Sequence, residues 1–346
     1  MKILLIMDPG IPVPPPLYGG HERLVHMFSE EYARLGHEVS LLAGPNSHIS
    51  GKIYSFGKND LKRGNWQKIK ELIYTWFFLL KKAKDFGLIH NFGRLAYLLP
   101  ILNNDTNKIM TYGRTIDSKN IKLIDRFKNK NLFFTAPSFD CISTNNQYGS
   151  WARVFNAIDF SKYTLQTKVD KVAPLIFLSR LDKVKGCHIA IEIAKRTNNK
   201  LVIAGNISEI YHEIEYFKKE IEPHIDGIQI KYVGAVNDIE KNHLLGQSKA
   251  MLFPINIKEA FGMVMAESMA CGTPVIAFNK GSVPEVVIDG VNGYRCDTVE
   301  QMIEAVNKID KINRIDVRKD SESRFSSKVI AGEYLNLFSS TRVQEY

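Results

Sequence analysis

Short apolar runs alternate with stretches of helical period along the 346-residue chain. Apolar runs at 2–7, 38–43, 88–90, 108–111, 132–134 and 153–155 read as strands. Between them, 21–35, a stretch near 95–102 and another near 121–127 space their apolar residues three and four apart, as one-sided helices do. Residues 156–159 end this series, and 161–173 have polar linker character. Pro174 opens a second series, with strands at 175–178, 200–204, 229–233, 250–253 and 273–278. Helical stretches ending near Thr197, starting from Glu209, and spanning 240–246 and 263–270 separate them. Strands alternating with such helices predict parallel βαβ units, twice over. The expected fold is α/β, with two Rossmann-like parallel-sheet domains. Their boundaries are 1–160 and 161–324, and a last amphipathic helix at about 325–346 packs back on the first domain. No internal sequence repeat accompanies this architectural one.

Residues 249–296 combine the most chemistry in the shortest space. A buried strand ends at Pro254, a polar loop follows, and after Ala260-Phe261-Gly262 a helix runs to the stop at Gly272. A loop feeding a helix N-terminus at the carboxyl end of a parallel strand offers backbone N–H groups and a positive dipole end to an anion. Glu259 and Glu267 frame this turn eight residues apart, a spacing that also suits the acid and base of a glycosidase. In the loop after the second series' first strand, Arg180 and Lys185 either project into solvent or clamp a diphosphate, one as a fork and the other as a point charge. The opening Gly19-Gly20 lets backbone approach a ligand closely, but the GxGxxG fingerprint of dinucleotide oxidoreductases is missing.

Composition narrows the classes. Cys141, Cys187, Cys271 and Cys296 lie far apart with no ligand spacing, so reduced thiols in a cytoplasm are expected and a disulfide or zinc framework is not. The opening MKILLIM is too short for a signal core and reads as the first buried strand. No apolar run reaches the roughly 18 residues that span a bilayer. Residues 1–165 carry 22 Lys/Arg and 13 Asp/Glu, whereas 166–346 carry 24 of each, so the whole net charge of +9 belongs to the first half. It is densest over residues 58–84, from Lys58 to Lys84, where eight basic residues stand against two acidic ones and aromatics interleave. This is either a solvated helix face with aromatics turned to the core, or a patch for an anionic membrane surface or acceptor. No nucleic-acid motif accompanies it, so no nucleic-acid partner is expected.

The segment KEAFGMVMAESMACGTPVIAFNKGSVPEVVIDGVNGY resembles the retaining nucleotide-sugar glycosyltransferases of family 4, within the glycogen-synthase-like superfamily. PPPLYGGHERLVHMFSEEYARLGHEVSLLA, VFNAIDF, FLSRLDKVKG and LVIAGN resemble that family in the same order, over nearly the whole chain. The resemblance implies the GT-B fold, two Rossmann-like domains facing across a cleft. It also implies catalytic Glu259, Arg180 and Lys185: the cations on the donor diphosphate in place of a metal, the carboxylate on the donor sugar hydroxyls. Backbone near Phe261, Gly262 and Met263 would meet phosphate, and Glu267 would hold the ribose hydroxyls. Gly19 and Gly20 would lie near the diphosphate and acceptor, Gly205 near the sugar, and Val233 and Gly234 near the base. Many relatives carry a second histidine two residues after the first, on the donor sugar. Here His90 fills the first position and Phe92 the second, so both belong on the sugar or acceptor side, unless His90 is a buried strand-end residue.

The resemblance therefore implies a metal-independent, retaining hexosyltransferase without a cofactor. It would move sugar from a nucleoside diphosphate sugar to a saccharide, lipid-linked or small-molecule acceptor in bacterial-type glycan or glycolipid synthesis. The expected location is the cytoplasm, peripheral to the inner membrane face. Phe92 leaves open a nucleotide-sugar-binding protein without turnover, and the two-domain fold leaves open a sugar-nucleotide epimerase.

Overall fold

The computed structural model describes residues 1–16, 19–114, 118–127, 131–143 and 147–338. Leu17 and Tyr18 of the glycine-turn motif, and positions 339–346 of the expected last helix, lie outside the described residues. The chain divides into two compact units, 1–157 with 327–346, and 158–326.

The first unit runs β1 (Lys2–Ile6), α1 (Gly20–Arg34), β2 (Glu38–Ala43), β3 (Lys52–Ser55), α2 (Asn65–Lys82), β4 (Leu88–Asn91), β5 (Asn107–Thr111), α3 (Ser118–Asp125), β6 (Leu132–Ala136), α4 (Phe139–Ile142) and β7 (Ser150–Arg153). Among the described residues these strands form one seven-stranded sheet in the order β3-β2-β1-β4-β5-β6-β7, every pairing parallel. Strands such as Ile3–Ile6 and Leu88–Asn91 are buried on both faces because helices cover both sides. Leu4, Ile6, Leu42, Ile89, Leu98 and Phe134 build the core.

Three expectations change. Residues Leu95–Ile101 coil as a 3-10 segment, because Pro100 removes a backbone donor and crowds the preceding turn. β3 was not foreseen, since KIYS alternates too briefly to register. β7 ends at Arg153, where 153–155 had been expected to form the strand.

The second unit runs β8 (Leu175–Leu178), α5 (Cys187–Arg196), β9 (Leu201–Ala204), α6 (Tyr211–Glu220), β10 (Ile230–Tyr232), α7 (Asp238–Gly246), β11 (Ala250–Phe253), α8 (Met263–Ala270), β12 (Val275–Phe278), α9 (Val283–Val286), β13 (Gly293–Cys296), α10 (Val299–Lys308) and α11 (Arg314–Phe325). Its parallel sheet has the order β10-β9-β8-β11-β12-β13. Strand order reverses between β8 and β11, which leaves a crevice at their carboxyl ends. The buried Arg314 ties this unit together, donating to the carbonyls of Gln166, Ser248 and Gly246. Arg318 does the same for Phe160 and Tyr163.

The expected single helix from 325 is two. Ser326 is extended and bridges Ile158, which closes α11, and α12 (Ser327–Asn336) starts afresh. α12 returns to the first unit, where Tyr334 meets Phe28 of α1 edge-on with ring centroids 5.3 Å apart. All four cysteines are free and buried. Among the described residues no helix is long and apolar enough to cross a membrane.

Candidate functional site

Six loops leave the carboxyl edge of the second sheet, and two of them meet at the β8/β11 crevice. The loop after β8 turns at Gly186, whose φ of +78° is left-handed and whose position faces Pro254 just past β11. A Cβ there would stand 2.3 Å from the Pro254 carbonyl oxygen. Only glycine allows that approach. It brings Lys185 to the opposite loop, and Lys185 Nζ lies 2.5 Å from Glu259 Oε2 with both side chains mostly buried. Glu259 is braced from behind: its carbonyl accepts from Ser282 N–H at 3.0 Å. Its Oε1 accepts no hydrogen bond from the described residues. Arg180 projects outward, 67% exposed along its side chain, and pairs with Asp182 at 2.8 Å.

Three residues beyond Glu259, Gly262 N-caps α8 without any side-chain cap. The N–H groups of Met263 and Val264 thus have no acceptor within the helix, while Met265 N–H donates to the Gly262 carbonyl at 2.8 Å. Phe261 sends its ring into the core against Phe325, 5.4 Å away, so only its backbone faces the loop.

One turn on, Glu267 points back to the same edge. Its Oε1 accepts from Tyr163 Oη and from Lys241 Nζ, each at 2.8 Å. Its Oε2 accepts nothing from the described residues. Burial pulls the Lys241 ammonium down, but the Glu267 and Asp238 carboxylates override it and raise its pKa. Burial and the neighbouring Glu267 push the Tyr163 phenol far up, so it stays a donor. Each carboxylate therefore has one oxygen fixed by a lysine and one open. Gly205 and Gly234 join the two neighbouring loops through a 2.8 Å backbone hydrogen bond, and Val233 N–H donates to Ile203 at the end of β9.

Sequence reasoning missed Lys241, Tyr163 and Asp182. Lys241 and Tyr163 lie 26 and 104 positions from Glu267, so no spacing rule links them. Asp182, two residues after Arg180, was visible as a charge alternation and passed over.

The first unit repeats the logic at its own reversal, between β1 and β4. Asp8 leaves β1 and meets Arg94, beyond β4, at 3.3 Å, and Tyr97 Oη donates to Asp8 at 2.5 Å. Burial, with Asp8 adding to it, raises the Glu22 carboxyl. Gly19 packs against Glu22 and Pro15, whereas a Cβ at Gly20 would meet no atom within 4 Å. None of Asp8, Glu22 or Arg94 was singled out from the sequence.

His90 takes the buried strand-end alternative, and Phe92 is buried beside it in the first unit. His90 is fully buried, with Nδ1 on Tyr32 Oη at 3.1 Å and Nε2 on Thr111 Oγ1 at 2.8 Å. Phe92 is 4% exposed and sits 4.2 Å from the His90 ring and 5.9 Å from Phe28. Burial pushes the His90 imidazole down to about 3, so it is neutral.

Residues 165–327 match the family described as Glycosyl transferases group 1. Over 177 residues the chain is 28% identical to N-acetyl-alpha-D-glucosaminyl L-malate synthase of Bacillus anthracis, covering 47% of this chain and 44% of that protein. Over 164 residues it is 27% identical to sucrose synthase 2 of Tulipa gesneriana, covering 42% and 20%. These alignments span less than half the length of either relative. Among solved structures, HepE of Anabaena in complex with UDP is 18% identical with a TM-score of 0.73, covering 98% of this chain and 100% of that one. The two parallel-sheet units thus have the GT-B fold.

Proposed function

We propose that the chain is a glycosyltransferase that moves a sugar from a nucleoside diphosphate sugar to an acceptor hydroxyl with retention of anomeric configuration. The observation that carries this reading is the Lys185–Glu259 pair at the β8/β11 crevice, next to the uncapped N-terminus of α8. Cation, dipole end and carboxylate there match a diphosphate joined to a sugar. The donor's phosphates lie against Arg180, Lys185 and the N–H groups near Phe261, Gly262 and Met263. Glu259 Oε1 accepts from sugar hydroxyls, and Glu267 Oε2 accepts from the ribose. Gly205 borders the sugar, and Val233 and Gly234 the base.

In the reaction the bond from the sugar C1 to the diphosphate oxygen breaks, and C1 bonds to the acceptor oxygen on the same face. The acceptor proton passes to the departing diphosphate. Arg180 and Lys185 stabilise the charge that grows on that leaving group, the role a divalent metal plays in other transferases. Family 4 membership, metal independence and the lack of a cofactor belong to this proposal. So do the division of labour between units, with residues 1–160 on the acceptor side, and a cytoplasmic location. The acceptor, whether saccharide, lipid-linked or small molecule, is drawn toward the first unit, where a Cβ at Gly20 would meet no atom within 4 Å. HepE, whose fold this chain shares, is seen with UDP, which supports a nucleoside diphosphate as the recognised group. The alternative is a nucleotide-sugar-binding protein without turnover, which Phe92 suggested.

Thermal shifts with UDP-, GDP-, ADP- and dTDP-sugars identify the donor. Transfer in the presence of a chelator, with the product's anomeric configuration read by NMR, then tests the reaction. Stabilisation by a donor without hydrolysis or transfer, or an inverted product, overturns it.

A further inference from the structure

Helix α2 carries a second apolar stripe that faces solvent, besides the one it buries. Trp66, Ile69, Ile73, Phe77 and Leu80 follow one another three and four residues apart, which places them on one face, and all are solvent-exposed, by 44 to 80%. The opposite face is buried and carries Glu71, Thr75 and Leu79. Glu71 holds Arg63 at 3.1 Å with both side chains under 10% exposed, and Thr75 donates to the Glu71 carbonyl. That buried ion pair fixes the orientation. Rolling the helix over to hide its apolar stripe would strand Glu71 or Arg63 without its partner. The ordinary surface helix shows its polar side to water; this one also shows an apolar stripe.

Lysines border the stripe. Lys70 and Lys81 flank one edge, and Lys62 and Lys84 stand near its ends, all exposed. Among the described residues, Lys82 alone of the lysines in 58–84 is in an ion pair, with Asp85 at 3.4 Å. The expectation of core aromatics is therefore half right: Trp76 and Phe78 turn inward, toward Ala96 and Tyr54, while Trp66 and Phe77 face out.

We infer that this face of α2 docks on a negatively charged lipid bilayer, lying in the interface plane with its apolar stripe in the headgroup–acyl boundary. Three features select a membrane. Apart from the Trp66 indole N–H, the stripe offers no hydrogen-bonding side chain to a protein partner. Its lysine border complements lipid phosphates. A second copy of the chain would bring the same lysines against themselves. Trp66 and Tyr74 sit where the amphipathic rings of interfacial helices sit. The inference is independent of the transfer reaction, and its test involves no sugar.

The full chain is sedimented with phosphatidylcholine vesicles containing about 30% phosphatidylglycerol and with pure phosphatidylcholine vesicles. Binding to the first and little to the second is expected, with binding weakened by salt. Lys70→Gln/Lys81→Gln/Lys84→Gln should lower the partition coefficient about a hundredfold. Phe77→Ser/Leu80→Ser should lower it at least about tenfold. All five positions are exposed, so circular dichroism should show the fold retained. No binding to anionic vesicles, or unchanged partition in the serine variant, overturns the inference. So does a dimer in solution that Phe77→Ser/Leu80→Ser dissociates, which would assign the face to a second copy.

Discussion

Lys185 Nζ stands 2.5 Å from Glu259 Oε2, joining the loops that follow β8 and β11 across the crevice where strand order reverses. The contact puts a cation that suits phosphate and a carboxylate that suits hydroxyls within one bond of each other. In the proposed reaction a donor entering here would offer phosphate to Lys185 and hydroxyl donors to Glu259, so ligand contacts would replace the pair.

Lys185→Ala should lower kcat roughly a hundred- to a thousandfold, as loss of one strong transition-state contact does. Arg180→Ala should fall less, because Arg180 is more exposed and less tightly held. Release of nucleoside diphosphate under saturating donor measures both. Wild-type turnover in the Arg180→Ala/Lys185→Ala double variant would end the assignment.

Glu267→Ala should act on KM for the donor, by roughly ten- to a hundredfold, with a smaller effect on kcat. The wild type should discriminate against 2′- and 3′-deoxyribose donors, and the variant should not. Lys241→Met should weaken donor binding in the same direction. Undiminished discrimination in Glu267→Ala would place the ribose elsewhere.

Gly186→Ala forces a Cβ to 2.3 Å from a carbonyl oxygen in a left-handed backbone conformation. The variant should lose roughly 2 kcal/mol or more of stability in urea unfolding. Where it still folds, the β8 loop must move away from Pro254, so turnover should fall with it. An unchanged urea midpoint would show that the two loops are not packed as described.

His90 supplies a pH signature. Its folded pKa is pushed down to about 3, below the ordinary imidazole value, so the unfolded chain binds the proton that the folded chain refuses. The stabilisation is fully present above about pH 6.5 and is lost as pH falls from there toward 3, on the order of 5 kcal/mol in all. Urea midpoints between pH 7 and 4 should fall more steeply for the wild type than for His90→Gln. Parallel slopes would mean that His90 titrates normally.

The alternation of apolar runs and one-sided helices was enough to place most strands, and β8 and β11 were read to the residue. Glu259, Lys185 and the start of α8 were legible because each lies at a strand end, where loop and helix chemistry show in a few consecutive residues. What stayed hidden depended on distance or direction. Tyr163 reaches Glu267 only because Arg318 draws the 160–163 segment onto α11, a contact that no local pattern encodes. The outward turn of α2 was hidden because two apolar stripes share one helix. Periodicity finds both but does not say which faces water; the Arg63–Glu71 pair decides. Ser326 breaks the last helix because its backbone bridges a partner 168 positions earlier.

Glu267 meets the rest of its unit with one oxygen and keeps the other open. A free glutamate on a helix samples several rotamers, and ordering it against a ligand costs binding entropy. Here Tyr163 and Lys241 remove that freedom during folding, before any nucleotide arrives. In the proposed role, recognition by Glu267 would be a property of the resting protein, with little reorganisation left for the encounter itself.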